Sequence, residues 1–166
     1  MRLRSVVFDT IWPARHEFVA GCNHVWVRVP LPRRWRRAII HEAPFRPCSC
    51  GIHATNDVEA AADYLYLYDD LQQPHLRYRA IGRVCLWGSV VEGENGWRAS
   101  HAYPERIFLP RTDRYGRPTD VEAIREGLSH YGVPIQILDD DADTSVARAI
   151  EGVKPKRRRR RAQTNF

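Results

Sequence analysis

Residues Ile81 to Pro110 read IGRVCLWGSVVEGENGWRASHAYPERIFLP, and this stretch decides the fold. Ile81, Val84, Leu86, Val90 and Val91 have the branched, apolar character of a strand, and Gly82 and Gly88 within it mark bulges or places where another backbone comes close. Gly93-Glu94-Asn95-Gly96 is a turn. Trp97 to Ala102 and Arg106 to Leu109 then return as the partner, so an antiparallel hairpin is expected at the centre of the protein.

Helical signals flank this hairpin on both sides. Upstream, Asn56-Asp57-Val58-Glu59 is a capping box that opens a helix over Val58 to Leu67, where Ala60, Ala61, Ala62 and Leu65 favour helix. Downstream, Thr119 with Glu122 forms a second box, starting a helix to Tyr131 that Gly132 and Pro134 stop. Val133 to Leu138 reads as a strand and Thr144 to Gly152 as a short last helix. In the N-terminal part, short apolar runs (Val6 to Phe8, Phe18 to Ala20, Val25 to Val29) precede a proline-rich loop over residues 30–51, broken by one short strand at Ala38 to His41. The expected fold is α+β: a bent antiparallel sheet with a central hairpin, two to three short helices and a disordered basic C-terminal tail. Residues 1–152 form the single domain and 153–166 the tail.

The charge divides along the same line. The net charge is +6, but Lys154, Lys156 and Arg157 to Arg161 carry 7 of the 26 basic residues, leaving 19 basic against 20 acidic side chains elsewhere. The body is nearly neutral. No lysine occurs before Lys154, so a Walker A phosphate loop, a pyridoxal Schiff base and a Ser-Lys hydrolase site are excluded from the body. No apolar run is long enough to span a bilayer and no signal-peptide pattern follows Met1, so a cytoplasmic location is expected. Ile137 to Thr144 (ILDDDADT) lacks the glycine and glutamate of a calcium loop and reads as a solvated acidic turn.

Four cysteines, Cys22, Cys48, Cys50 and Cys85, occur without a secretory signal, which disfavours a disulfide framework. His41 to His53 reads HEAPFRPCSCGIH. A zinc ion takes four soft or borderline ligands in a tetrahedron, and Cys22, His41, Cys48 and Cys50 would supply Cys3His, with His24 and His53 as rival ligands. The CxC spacing is tighter than the usual CxxC knuckle. Two alternatives stand beside this one: cysteines that simply pack as small hydrophobes, and a catalytic thiol paired with His41 or His53. Glu42 is the carboxylate expected to orient His41.

Two basic segments suit nucleic acid. The tail (Lys154, Lys156, Arg157, Arg158, Arg159, Arg160, Arg161) would neutralise phosphates without sequence preference, with binding that weakens as salt rises. Arg33, Arg34, Trp35, Arg36 and Arg37 interleave an aromatic with guanidinium pairs, a composition for stacking on bases and gripping phosphates. In the hairpin, Trp87, Glu92, Trp97, Arg98 and Tyr103 form a candidate ligand pocket, in which the tryptophans stack on a ring and Arg98 takes an anion. The plainer alternative is a cross-strand Glu92–Arg98 pair.

Two of these stretches together, HEAPFRPCSCGIHA (His41 to Ala54) and VCLWGSVVEGENGWRASHAYPERIFLP (Val84 to Pro110), resemble a family of small uncharacterised proteins from high-GC bacteria and their mobile elements. Its marks are a CxCGI(Y/H)A segment followed by an LWGxVxE hairpin with GWRA and AYP. His53 stands where tyrosine is expected, and Gly93 where histidine is common. The resemblance covers about residues 20 to 135 and brings no activity with it. The function expected is a non-enzymatic accessory protein that binds nucleic acid or a nucleoprotein complex through its arginine-rich tail, braced by zinc. The alternatives are a phage or mobile-element factor that binds a host protein complex, and a small Cys/His enzyme acting on an anionic or aromatic ligand.

Overall fold

The computed structural model describes residues 1–5, 10–22, 41–61, 78–113 and 116–138. Among the described residues, five strands, β1 (Phe18–Val19), β2 (Ile52–Ala54), β3 (Ile81–Gly93), β4 (Gly96–Leu109) and β5 (Ile135–Ile137), form one sheet, residues 58–61 are helical, and an α-helix, α1 (Val121–Leu128), leads into a 3-10 turn (Ser129–Tyr131). The α+β class and the mostly antiparallel sheet agree with expectation.

Every pairing among these five strands runs through β4. One of its edges carries β3 from Ile81↔Phe108 to Gly93↔Gly96, closed by a two-residue turn. Its other edge carries three short strands in succession: β2 on Trp97–Ala99, β1 on His101–Ala102 and β5 on Ile107–Leu109. β5 runs parallel to β4, which corrects the wholly antiparallel sheet expected. Helix α1 intervenes between the two strands and carries the chain back along the sheet, and such a crossover delivers a parallel strand.

β4 is also longer than the two pieces expected, because Pro104 lies within it. Pro104 pairs with Val84 beside a register shift, at a stretch of β4 between the segments covered by β1 and β5. A proline, which has no N–H to donate, is tolerated at such a bulge. A second shift lies between Trp87 and Val90. There Gly88 has φ +76°, and a Cβ added to it would run into Ser100 Oγ and lie 2.6 Å from His101 Nδ1. Gly88 is the close approach that the pattern implied.

In both helices the capping residue falls one position later than the capping boxes placed it, although the first helix opens at Val58 as expected. The N-cap of α1 is Asp120, whose carboxylate accepts from Ala123 N at 3.0 Å, while the Thr119 hydroxyl donates to the Arg111 carbonyl. At residues 58–61, which are helical, Asp57 accepts from Glu59 N and Ala60 N. In each case an aspartate beside the expected cap takes the role, since its carboxylate is an equally good acceptor of the free N–H groups. The continuation to Leu67, the strand at Val25 to Val29 and the helix at Thr144 to Gly152 lie outside the described residues, as does the strand at Ala38 to His41 except for His41 itself, which is in no strand.

The core sits where β4, β5 and α1 meet. Ile107, Leu109, Leu128 and Tyr131 form one buried cluster, and Phe108 and Leu138 a second against Val58 and Ile81. Tyr131 is 2% exposed, and its hydroxyl donates to the Trp12 carbonyl at 2.8 Å and accepts from Leu3 N at 2.9 Å. The Tyr103 hydroxyl donates to the Tyr131 carbonyl and accepts from Arg15 N, both at 2.7 Å. These two tyrosines tie the N-terminal segment to the core, and so set where β1 begins.

Candidate metal centre

β1 and β2 lie end to end along one edge of β4. The chain leaves β1 with Ala20 N donating to the Ser100 carbonyl at 2.8 Å, heading for the first β2 pair, Ile52↔Ala99. Cys22 therefore comes off the end of β1 where Cys50 approaches the start of β2. Cys48 and His41 complete the group. One ligand atom from each of Cys22, His41, Cys48 and Cys50 lies within 4.8 Å of all the others, so the four could hold a metal ion.

Individual distances suit a tetrahedron. Cys22 Sγ is 3.9 Å from Cys48 Sγ, and His41 Nε2 is 3.3 Å from Cys50 Sγ. A tetrahedral zinc ion with sulfur at about 2.3 Å would separate its sulfurs by about 3.8 Å. Cys50 is buried and the other three are half-buried.

The electrostatics of the loop favour thiolate at Cys48 and oppose it at Cys50. A backbone hydrogen bond from Cys50, with lesser ones from the side chains of Cys50, His41 and Cys22, outweighs burial and lowers the Cys48 thiol from its ordinary 9.0 to about 6. Burial pushes the Cys50 thiol up, opposed by a backbone hydrogen bond from Phe45, while the neighbouring sulfurs of Cys48 and Cys22 push it further the same way. A cation held beside Cys50 would favour its ionised form against both burial and the neighbouring sulfurs.

The loop itself is held by a residue of the hairpin. Arg98, in β4, donates from Nη1 to the carbonyls of Cys48, of Cys50 at 3.0 Å and of Phe45 at 3.5 Å. Cys48 N also donates to the Phe45 carbonyl at 2.9 Å, which closes a turn. Gly51 follows Cys50 at φ +122°, and a Cβ there would lie 3.0 Å from Pro44 Cβ and 3.1 Å from Arg98 Cβ. Only glycine fits both the angle and the space, which explains the G of CxCG. The two motifs that the resemblance paired, CSCGIHA and GWRA, are thus neighbours in space: β2 pairs with Trp97–Ala99, and Arg98 grips the cysteine loop. Sequence reasoning singled out Arg98 for a ligand pocket rather than for this loop, and it missed Gly51.

No protein-family model, curated protein or solved structure matches this chain. Its site is therefore read from its own geometry. The rival ligand His53 turns away, its Nε2 2.8 Å from the Ser49 carbonyl, and His24 lies outside the described residues. Glu42 is exposed, and the His41 ring packs instead against Phe45, with centroids 4.6 Å apart. Cys85 stands apart from the cluster, exposed on β3 opposite Tyr103.

The hairpin residues considered for a ligand pocket are spread along the strands. Glu92 pairs with Trp97 and Arg98 with Val91, so the expected Glu92–Arg98 rung does not form. The Arg98 guanidinium is committed to the cysteine loop and the Tyr103 hydroxyl to Tyr131 and Arg15. Trp87 lies against His101, with ring centroids 6.0 Å apart and planes at 19°, and is 37% exposed. Arg33 to Arg37, the acidic turn at Asp139 to Asp143 and the basic tail lie outside the described residues. Among the described residues, no helix is long and apolar enough to cross a membrane.

Proposed function

We propose that this protein is a zinc-braced, non-catalytic accessory protein of the cytoplasm that binds nucleic acid or a nucleoprotein complex through its arginine-rich arm. The observation that carries the first half is the convergence of Cys22, His41, Cys48 and Cys50 within 4.8 Å. Four protein ligands fill a tetrahedral ion and leave no position for water or substrate, which is the pattern of structural rather than catalytic zinc. The second half is supported by the run Lys154 to Arg161, whose only favourable partners are polyanions. In this reading, zinc fixes the irregular N-terminal half to the hairpin, and the arm supplies affinity.

Two measurements test it. Elemental analysis of the purified chain should find one zinc per chain, lost together with thermal stability on chelation. Deleting residues 154–166 should abolish retention on nucleic acid and flatten its dependence on salt, and unchanged binding would sink the assignment of the arm. A reactive thiol at Cys48 is the second reading, favoured by its lowered pKa of about 6 beside His41. It predicts that the chain as purified, without chelator, is alkylated by iodoacetamide at Cys48 with a midpoint near pH 6, whereas bound zinc would protect the sulfur.

A further inference from the structure

We infer that Cys22 and Cys48 are an oxidisable pair: a hydroperoxide joins their sulfurs in a disulfide and so expels the zinc ion that the reduced cluster holds. The inference rests on the zinc reading above and adds to it a modification site and its reagent. The four ligands divide into two close pairs. Cys22 Sγ is 3.9 Å from Cys48 Sγ, and His41 Nε2 is 3.3 Å from Cys50 Sγ.

Burial separates the three sulfurs. Cys50 is buried, whereas Cys48 is half-buried in a loop whose residues Arg46, Pro47 and Ser49 are exposed. Cys22 is half-buried as well and follows the exposed Gly21. An oxidant arriving from solvent therefore meets Cys48 and Cys22 before Cys50. A link between Cys48 and Cys50 would have to close a small ring through one intervening residue, while Arg98 holds the carbonyls of both. Cys22 reaches Cys48 from another segment, 26 residues away, so its side chain turns in without closing such a ring. The gap of 3.9 Å then shortens to a bond of about 2.0 Å.

The peroxide is the one co-reactant needed. The Cys48 thiolate attacks a peroxide oxygen and the O–O bond breaks, giving a sulfenic acid and hydroxide. The Cys22 thiolate attacks the Cys48 sulfur, the S–O bond breaks, and a second hydroxide leaves as the disulfide forms. The two sulfurs give up two electrons, the peroxide takes them, and the buffer protonates both hydroxides to water. A zinc-bound sulfur keeps a lone pair for the first step and reacts more slowly than a metal-free thiolate. Of the four ligands only His41 and Cys50 then remain, too few for a structural ion. The disulfide still ties the end of β1 to the cysteine loop, so the oxidised chain differs from a chelated one.

The test is hydrogen peroxide added to the full-length chain, with zinc content first fixed by elemental analysis and release followed with a chromogenic chelator. We expect one zinc released per disulfide formed, a Cys22–Cys48 link in the unreduced digest, and zinc taken up again after dithiothreitol. Hydrogen exchange at Ala20 should stay slow in the linked chain. Cys85→Ala, outside the cluster, should release zinc and form the same link. Zinc retained through excess peroxide overturns the proposal, and so does a link between any other two cysteines, fast exchange at Ala20 in the linked chain, or dependence on Cys85. A chain that takes up no zinc overturns the zinc reading instead, and the digest still judges the pairing: peroxide must then join Cys22 to Cys48, and any other product overturns that too.

Discussion

The two edges of β4 are built in opposite ways. On one, β3 pairs along almost the full length of the strand and is delivered by a two-residue turn, so its loop-closure cost is small. On the other, β1, β2 and β5 contribute two, three and three residues, each brought from a distant part of the chain. Strands so short do not hold themselves. β5 is carried by the apolar clusters around Phe108, Leu109 and Tyr131, whereas β1 and β2 meet at the Cys/His cluster and the Arg98 clamp. A strand that is local in sequence needs only its hydrogen bonds, and one that is remote needs a tie of another kind.

That contrast can be broken most sharply at the Cys/His cluster. Chelation, or Cys50→Ala, should free β1 and β2 while β3 and β4 stay paired. The loss should be several kcal/mol, because the binding energy of a structural ion, of order 10 kcal/mol, is folding energy. Hydrogen exchange should then accelerate at Ala20 and Ile52 to Ala54, and remain slow from Cys85 to Trp87; equal acceleration in both regions would show that the two edges are one cooperative unit. Gly88→Ala strikes the hairpin edge instead. Its Cβ has to displace Ser100 and His101 at a positive φ, so we expect a loss of about 1–3 kcal/mol in denaturant unfolding, with metal content unchanged.

Smaller changes sharpen the same division. Tyr131→Phe removes one hydroxyl that serves both Leu3 and Trp12, and leaves a half-buried amide and carbonyl without it. The expected cost is about 1–2 kcal/mol, with increased proteolysis of the first residues as the readout. Glu105→Gln, which weakens the bidentate pair with Arg83 on the already secure hairpin edge, should cost less than about 1 kcal/mol and fade further in high salt.

The legibility of the chain followed this division. The hairpin could be read because its two strands and turn are contiguous, so branched residues, glycines and the Gly-Glu-Asn-Gly turn report directly on one another. β2 could not. Ile52–Ala54 is three residues with no alternation to detect, and it is a strand only because Trp97–Ala99 lies beside it. Helix starts were legible to within one residue, since threonine, asparagine and aspartate compete for the same N–H groups and the backbone angles choose among them.

The ligand set was legible for a chemical reason: few side chains bind a soft cation, and a chain with Cys22, His41, Cys48 and Cys50 grouped in its first part has few ways to assemble four of them. Sequence by itself thus determined the hairpin, the α+β class, the separation of a basic arm from a nearly neutral body, and the candidates for the cluster. Tertiary structure alone decided that His53 turns to Ser49, that β5 runs parallel, and that Arg98, 48 residues beyond Cys50, closes the cysteine loop. These depend on which segments share an edge of β4. Composition and spacing report a residue's chemistry and its neighbours along the chain, whereas contacts across such distances exist only once the whole sheet has formed.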